Sequence, residues 1–196
     1  MRQPAVTKAR ILKQSGQLFN TQGYKATSIS DITTATGLTK GAIYRHFKSK
    51  DHLEKEALLF LAKTMFDQIR QRIQAQPTAP RKLKALFVFF ETYISNPPVK
   101  GGCPLLNVST EVDDGHPVLR KQAVVILDML RDAIITMLSN GVTYGQLKPT
   151  IQKEYYASVI IAMLEGAIMM SKLRGNNEDI KIAIRHLENL MKEIIV

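Results

Sequence analysis

The stretch from Thr27 to Lys50, TSISDITTATGLTKGAIYRHFKSK, decides the fold of the N-terminal part of the chain. Ser28 and the aspartate three positions later form a capping-box pattern, which predicts that a short helix begins there. Gly37 can adopt the positive φ that ends a helix, and Thr39 can cap a second short helix. Two short helices joined by a glycine turn predict a helix-turn-helix. In the second helix, three side chains are expected to face inward: Ala42, Ile43 and Phe47.

The outward face of the second helix is cationic and suits a groove of DNA. Lys40 and Arg45 can neutralise phosphates and reach guanine acceptors, while Gly41 lets a DNA backbone approach closely. The N-terminal residues of such a helix are aimed at base edges. Hydroxyl and backbone N–H groups at the start of the first helix can bind a phosphate. The expected DNA-contacting residues are Thr27, Ser28, Thr39, Lys40, Gly41, Tyr44, Arg45, His46 and Lys50.

The net charge of the chain is +10 and is unevenly distributed. Residues 1–55 hold ten Lys and Arg against three Asp and Glu, a net charge of +7, whereas the other 141 residues carry +3. A basic N-terminal part indicates a polyanionic partner, either nucleic acid or an anionic membrane surface. On charge alone, non-specific nucleic-acid binding and an ordinary solvated surface stay open.

Apolar residues recur with helical spacing along the whole chain, and no segment shows sustained strand alternation. We therefore expect an all-α fold of about nine helices. Residues 1–49 are predicted to form a three-helix DNA-binding head, and residues 50–196 a helical ligand-binding and dimerisation body. A helix over residues 50–74 links the two. The later helices are expected over residues 81–95, 104–112, 117–140, 152–173 and 178–195.

The motif resembles a known DNA-binding signature. The stretch TSISDITTATGLTKGAIYRHFKSKDHL is similar to that of the TetR family of bacterial transcriptional repressors. The matching positions are Thr27-Ser28, Gly37, Thr39-Lys40-Gly41, Tyr44, His46-Phe47 and Lys50. This motif resemblance covers about residues 5 to 60.

The resemblance implies a mechanism. Members of this family are homodimers whose two reading helices enter successive major grooves of a near-palindromic double-stranded DNA operator. A small effector, here expected to be largely apolar, binds the body, and the helix at 50–74 moves the reader out of register. DNA and effector would then oppose each other through one two-state element. The implied protein is a ligand-responsive, cytoplasmic repressor.

The dimer interface is expected on the last two helices. The helix from Gln152 is apolar almost all round, so it should be buried on two sides. Gly166 and Ala167 would allow another helix to approach closely. The alternative is the ordinary core of a monomer. The expected interface residues are Val159, Met163, Gly166, Ala167, Met170, Ile184, Leu187 and Met191.

The effector pocket is expected among methionine and aromatic side chains, which suit adaptable apolar sites. Each of these residues is also compatible with plain core, and the two polar positions Asn107 and Glu111 are compatible with a surface placement. The expected pocket residues are Phe66, Phe87, Phe90, Tyr93, Cys103, Leu106, Asn107, Met129 and Met163.

Cys103 offers an alternative mode of regulation. It precedes a helix start, where a thiolate would be stabilised, so a cysteine sensor of oxidants or electrophiles is a second hypothesis. A small buried structural residue is the competing interpretation. A single cysteine also excludes an internal disulfide and suits a reducing compartment.

Other classes of function find little support in the sequence. It contains no P-loop, GxGxxG, HExxH or GxSxG motif, so no enzyme activity and no cofactor are expected. The four histidines lack ligand spacing, and Glu111, Asp113 and Asp114 suit a solvated helix end better than a metal site. No uninterrupted apolar run reaches the ~18 residues needed to span a membrane. The narrow apolar stripes of the head are needed for its own core, which argues against membrane-surface binding.

Overall fold

A computed structural model gives the structure of residues 4–112 and 115–196. Within these residues the chain forms nine α-helices, which confirms the all-α class. Asp113 and Asp114 of the predicted acidic cluster lie outside the described residues. The helices are α1 (Pro4–Gln22), α2 (Ile29–Thr36), α3 (Lys40–Tyr44), α4 (Lys50–Gln74), α5 (Ala79–Glu91), α6 (Pro104–Val112), α7 (Pro117–Thr143), α8 (Lys153–Arg174) and α9 (Glu178–Lys192).

Four helix ends differ from the sequence expectation by two residues or more: the start of α5, its end at Glu91, the end of α7 at Thr143 and the end of α9. α5 begins at Ala79, because Thr78 takes the extended conformation of an N-cap and proline is tolerated in a first helical turn. α9 ends at Lys192, three residues early. The last residues leave the helix because they pair with the turn after α7: Lys148 N–H donates to the Ile194 carbonyl at 2.8 Å.

The chain divides into two compact units. The first unit comprises Met1–Met65 and Val99–Ile126, and therefore holds α1 to α3, the first part of α4, α6 and the start of α7. The second comprises Phe66–Pro98 and Leu127–Val196. The functional boundary predicted at residue 50 stays a prediction.

The core of the first unit is built around α1 and the helix-turn-helix. Ile11, Ile32, Ile43 and Phe47 are at most 1% exposed. Burying one such side chain stabilises the fold by about 1.5–3 kcal/mol. This core holds α2 and α3 against α1, so the two short helices need not be stable alone.

The core of the second unit lies where α5 and α8 pack on α9. Aromatic side chains of α5 and the residues after it cluster there, with the rings of Phe90 and Tyr93 stacked at a centroid distance of 5.4 Å. Ser171 on α8 accepts a hydrogen bond from the Ile180 N–H at 3.0 Å, which ties α8 to α9. The apolar side chains of α8 that are buried here include Ile160, Leu164 and Ile168.

α8 is long and apolar enough to cross a membrane by length and composition, with a mean hydropathy of 1.4. It is one such helix among the residues that the structure describes. The sequence expectation concerned an uninterrupted apolar run, and Glu165 interrupts the apolar residues of α8. Core helices of soluble proteins meet the same criterion. Because the inner side of α8 packs on α9, we treat it as a core helix.

Replacing Gly37 tests the turn between α2 and α3. Its φ of 62° is left-handed, and an added Cβ would lie 3.5 Å from its nearest neighbour, an Arg10 nitrogen, which is an ordinary contact. Gly37→Ala should therefore lower the free energy of unfolding through backbone strain, by about 1–2 kcal/mol. Urea denaturation measures this difference. Gly37→Asn is the matched control and should lose less, because asparagine tolerates this conformation; equal stability of all three proteins would contradict the assignment.

Candidate nucleic-acid interface

The start of α2 carries the capping box that the sequence predicts. The Ser28 hydroxyl accepts the Asp31 N–H at 3.2 Å, and the Asp31 carboxylate accepts the Ser28 N–H at 2.8 Å. The same carboxylate accepts the Ser28 hydroxyl at 2.7 Å. The hydroxyl and then the backbone N–H of Ser28 hold the pKa of Asp31 below its ordinary value. A fixed negative charge in the first turn also suits the helix dipole.

α3 is a five-residue helix, Lys40–Tyr44, and Thr39 is its N-cap as predicted. The Thr39 hydroxyl accepts the Ala42 N–H at 3.2 Å. Ile43 and Phe47 are buried on the inner side, and Ala42 is half-buried. The inner side of α3 is thereby fixed to the head, and its outer side is open.

Lys40, Gly41 and Arg45 are exposed on the outer side of α3, and Tyr44 is 38% exposed. The cationic ends of Lys40 and Arg45 have no hydrogen-bond or ion-pair partner among residues 4–112 and 115–196. A Cβ added at Gly41 would meet nothing within 4 Å. Nothing in the described structure therefore requires glycine at this helical position.

Two residues of the predicted DNA-contacting set are engaged inside the head. Thr27 is fully buried, and its hydroxyl donates to the Gly23 carbonyl at 2.6 Å. The Lys50 ammonium lies 3.2 Å from a carboxylate oxygen of Glu54 and donates to the Tyr24 carbonyl at 2.9 Å. These contacts occupy the polar groups that we expected to face a phosphate. We call the exposed residues Lys40, Gly41, Tyr44 and Arg45 the reading surface. His46 is half-buried and lies at its edge.

Two cations of α1 also support the reader, and the sequence did not single them out. The Lys8 ammonium lies 3.2 Å from the Glu56 carboxylate and 5.6 Å from the centroid of the Phe47 ring. The Arg10 guanidinium donates to the Thr36 carbonyl at the end of α2. Lysine and arginine on an amphipathic helix are ordinary surface residues, so the sequence holds no local signal for these roles.

Asp51, Glu54 and His116 form a group of ligand-type side chains in the described part of the chain, with ligand atoms within 4.8 Å of one another. The two Glu54 oxygens already contact Lys50 and, at 3.1 Å, His116 Nε2. His116 Nδ1 accepts the Leu119 N–H at 3.3 Å, so Nε2 is the protonated nitrogen and donates to Glu54. A metal-bound imidazole places its proton on the other nitrogen. We therefore assign this group a structural role.

The residues predicted for an effector pocket are spread over both units. In the second unit Phe87, Phe90 and Tyr93 are buried together, Phe66 and Met163 are half-buried, and Met129 is 52% exposed. In the first unit Cys103 is buried, and Leu106 and Asn107 are half-buried. The exposure of Met129 removes it from any enclosed site, because it lies on the outer side of α7.

Two open surface grooves lie in the second unit, and neither includes a predicted pocket residue. One, of 810 Å³, runs along the end of α4 and α5, and its lining includes Arg72, Arg81 and Val88. The other, of 460 Å³, lies beside the start of α8 and includes Tyr155 and Tyr156. Burial raises the pKa of the Tyr156 hydroxyl, with smaller contributions from Glu193 and Tyr155.

The predicted dimer residues separate into an inner and an outer set. Ala167, Ile184, Leu187 and Met191 are buried within the chain itself, so they are not free to meet a partner. Of these four residues Ala167 lies on α8, where the sequence could not separate inner from outer positions because the helix is apolar on both sides; the other three lie on α9. The outer side of α8 instead presents a stripe at helical spacing. Its members are Tyr155, Val159, Ala162, Met163, Gly166, Met170 and Leu173.

Two family models match the chain. One, described as "Bacterial regulatory proteins, tetR family", matches residues 11–57, and the other, "Tetracyclin repressor-like, C-terminal domain", matches residues 79–187. The second match alone covers more than half of the chain. The chain belongs to the TetR family. The family resemblance inferred from the motif is confirmed.

Solved structures and curated relatives agree with this assignment. A TetR transcriptional regulator from Chloroflexus aurantiacus J-10-FL is 34% identical, with a TM-score of 0.95 over 100% of both chains. The HTH-type transcriptional repressor DhaR of Mycobacterium sp. (strain GP1) is 25% identical over 170 residues, 86% of this chain and 83% of the relative. A cysteine mutant of the TetR-family regulator CifR, solved with 26-base-pair operator DNA, shares the fold at 17% identity and a TM-score of 0.83 over 91% and 93% of the chains.

As a TetR-family protein, the chain is a DNA-binding transcriptional regulator. The family and the fold also identify it as a regulator and not an enzyme. The helix-turn-helix of α2 and α3 lies within residues 11–57, which the N-terminal family model matches. The reading surface described above is therefore the candidate DNA interface.

Gly41→Ala should separate folding from DNA binding. Alanine favours a helix over glycine by about 1 kcal/mol, and the added methyl meets no atom of the head, so the variant should be more stable. The same methyl should obstruct DNA and weaken binding. Thermal melts and fluorescence anisotropy measure the two effects. Ser158→Ala, at an exposed position of α8, controls for a general stability effect; tighter or unchanged DNA binding by Gly41→Ala would contradict the close approach.

Proposed function

We propose that the protein is a dimeric repressor that binds a near-palindromic DNA operator and is released when a small, largely apolar effector binds its C-terminal part. The observation that carries this proposal is the two-sided character of α3. Its inner side is fixed by Ile43 and Phe47, and its outer side presents unpartnered cations around an unexplained glycine. A rigid, exposed, cationic helix of this kind suits the major groove.

The proposed DNA contacts follow from exposure and chemistry. Lys40 and Arg45 can reach phosphates or guanine edges, and the Tyr44 hydroxyl can bond a phosphate. Ser28 and Thr39 offer hydroxyls at two helix starts, and His46 lies at the rim. Thr27 and Lys50 receive a structural role in this proposal, because their polar groups are already used within the head.

Repression is supported by the relatives named above. DhaR is a transcriptional repressor by name, and the CifR structure contains operator DNA. Because a regulator must reach its operator on the cell's DNA, we also propose that the protein is cytoplasmic. An activator that uses the same reading surface is the alternative that gene-expression measurements would distinguish.

The proposed dimer uses the outer stripe of α8. Leu173 is 82% exposed and Met170 is 41% exposed, which is unusual for large apolar side chains that have no partner to cover them. A Cβ added at Gly166, in the middle of the stripe, would meet nothing within 4 Å, so a helix of a second copy could approach closely there. With two-fold symmetry, the two readers would meet half-sites about one helical turn of DNA apart.

Effector binding is proposed for the C-terminal part, where Phe87 is buried and the rings of Phe89, Phe90 and Tyr93 form an aromatic cluster. A ligand that enters beside this cluster would have to displace packed side chains, which is how a small molecule can shift an equilibrium between two conformations. The buried sulfur of Cys103 is a poor match for a reactive thiolate, so we do not carry the cysteine-sensor hypothesis forward.

The direct test is fluorescence anisotropy with DNA from just upstream of the protein's own gene, against a scrambled duplex, at two salt concentrations. Repressors of this kind commonly bind beside their own genes, so we expect tight, salt-sensitive binding and a large preference for the native duplex. The same assay then identifies effectors by release of DNA. Equal, weak binding to this duplex and to every other candidate fragment would contradict a sequence-specific regulator.

Lys40→Ala and Arg45→Ala should affect DNA binding in different ways. Loss of Lys40 removes a phosphate contact, so it should weaken operator and scrambled DNA alike and reduce the salt slope by about 1. Loss of Arg45 should weaken operator binding by about 1–3 kcal/mol and relax base preference, if the guanidinium reads a base edge. Anisotropy titrations on both duplexes measure these effects.

Lys181→Ala, an exposed cation on α9, is the matched control and should change neither affinity measurably. Equal losses on operator and scrambled DNA would remove Arg45 from the residues that give specificity. If Lys40→Ala weakened binding to the operator but not to scrambled DNA, the phosphate role of Lys40 would be contradicted.

Leu173→Glu should disrupt the dimer. A carboxylate within an apolar contact is costly, whereas at this exposed position it should leave the chain folded. Sedimentation velocity should show a wild type of twice the chain mass and a variant shifted to the monomer. Val88→Glu, an equally drastic change at an exposed apolar position of α5, is the control and should stay dimeric. A fully dimeric Leu173→Glu would place the interface elsewhere.

A further inference from the structure

Glu111, on α6, binds the backbone of the turn that follows α1. One carboxylate oxygen accepts the Tyr24 N–H at 2.8 Å and the Lys25 N–H at 3.3 Å. A hydrogen bond from a backbone N–H to a carboxylate is stronger than one between neutral groups. These two N–H groups lie three and four residues before Ser28, the N-cap of α2. The carboxylate therefore holds the segment from which the helix-turn-helix begins.

Asn107, one turn earlier on α6, holds the end of α1. Its amide donates to the Asn20 backbone carbonyl at 3.0 Å, to the Asn20 side-chain oxygen at 2.9 Å and to the Gly101 carbonyl at 2.9 Å. The Asn20 amide in turn donates to the Lys100 carbonyl at 2.8 Å and the Gly102 carbonyl at 3.0 Å. We call Asn20, Asn107 and Glu111, with these contacts, the α6 clamp. The amide predicted for an effector is thus already used.

Two glycines lie at the clamp, and both take a positive φ that favours glycine, 95° at Gly23 and 103° at Gly101. A Cβ added at Gly23 would lie 3.0 Å from both carboxylate oxygens of Glu111, and one added at Gly101 would lie 2.5 Å from the Asn20 carbonyl oxygen. A side chain at Gly101 would therefore collide with backbone, which cannot move aside. Both close approaches occur at the same contact, so the local sequence is adapted to a tight fit of α6 against α1 and its turn.

Tyr24 joins the clamp to the rest of the head. Its N–H is held by Glu111, its carbonyl accepts the Lys50 ammonium at 2.9 Å, and its ring stacks on Phe19 at 4.9 Å. Burial, followed by the nearby carboxylates of Glu54 and Glu111, raises the pKa of the Tyr24 hydroxyl, which stays neutral. One buried residue is thus held from α1, α4 and α6 together.

We propose that Asn107 and Glu111 are positioning residues for DNA binding: through their contacts with the end of α1 and the turn after it, they fix the start of the helix-turn-helix. This inference rests on the proposed function. Asn107 and Glu111 fall within residues 79–187, which the C-terminal family model matches, while their partners on α1 and its turn fall within residues 11–57. The clamp therefore joins the two family regions inside one compact unit.

The hydrogen bonds of the clamp lie partly in solvent. Glu111 is exposed, and the bonds that Asn107 donates to Asn20 and Gly101 are part-buried. Hydrogen bonds within one network support one another, so the loss of either α6 side chain should loosen the turn after α1 without unfolding the chain.

The test compares Glu111→Ala, Glu111→Gln and Asn107→Ala with the wild type. Thr110→Ala is the control for a substitution on α6 outside the clamp. In the described part of the chain, the Thr110 hydroxyl donates a hydrogen bond within its own helix, to the Asn107 carbonyl. Glu154→Gln is the control for the loss of a negative charge, since it removes one carboxylate from an exposed position of α8. The probe is the duplex that wild-type protein selects from a random pool, with a scrambled duplex beside it. Hydrogen exchange of the Tyr24 and Lys25 amides reports the clamp itself.

Glu111→Ala and Asn107→Ala should exchange faster at the turn and lose operator affinity on the order of tenfold, within the range of coupling between two sites. Scrambled DNA should lose less, because position matters most for base contacts. Glu111→Gln keeps a hydrogen-bond acceptor, so its operator affinity should lie between those of the wild type and Glu111→Ala. Removal of a negative charge should by itself favour DNA binding, because it lowers the repulsion of the phosphates. Glu154→Gln should therefore bind DNA unchanged or slightly more tightly. A weaker affinity of Glu111→Ala or Glu111→Gln would go against this effect of charge.

The outcomes separate the two proposals. Wild-type protein that selects no duplex would overturn the proposed function and this inference with it. Wild-type protein that binds its duplex, together with a Glu111→Ala variant that is folded by circular dichroism and binds equally well, would overturn the inference alone. Unchanged exchange at Tyr24 and Lys25 in that variant would also overturn it.

Discussion

The burial of Ile43 and Phe47 is the interaction on which the reading surface depends. The five-residue helix α3 forms too few internal hydrogen bonds to persist alone. Nucleating a helix is unfavourable, and the hydrogen bonds of a single turn do not offset the entropy that is lost. Its stability must come from packing. By fixing one side of α3 in the core of the head, these two side chains present Lys40, Tyr44 and Arg45 outward on a rigid frame, and preorganisation is what makes a short helix useful for recognition.

The cations of the head divide by what they contact. Lys8, Arg10 and Lys50 are bound to carboxylates, a ring or backbone carbonyls within the head, and they hold α1, α2 and α4 in place. Lys40 and Arg45 have no such partner among the described residues. The net charge of the first 55 residues predicts a polyanionic partner, but only the contacts distinguish cations that build the surface from cations that are free to bind it.

The sequence predicted what depends on neighbours along the chain. The capping box at Ser28, the turn at Gly37 and the cap at Thr39 are local motifs, and the structure contains all three. Lys50 shows both cases: its partner Glu54 is an i,i+4 neighbour that the sequence could have indicated, whereas its partner Tyr24 is 26 residues away and leaves no local signal. Met129, and the inner and outer residues of α8, could not be sorted for a related reason: an apolar side chain has the same sequence signal whether it faces the core or a second copy.

Glycines distinguish contacts within the chain from contacts beyond it. A glycine in a folded protein costs conformational entropy, so each one should have a compensating cause. Gly23 and Gly101 take positive φ, and Glu111 and Asn20 also approach them closely within the chain. Among the described residues, Gly41 and Gly166 are helical glycines where an added Cβ would meet nothing within 4 Å, so no contact inside the chain accounts for them. One lies on the exposed side of α3 and the other in the apolar stripe of α8. The DNA and the second copy proposed above are the outside contacts that both positions favour.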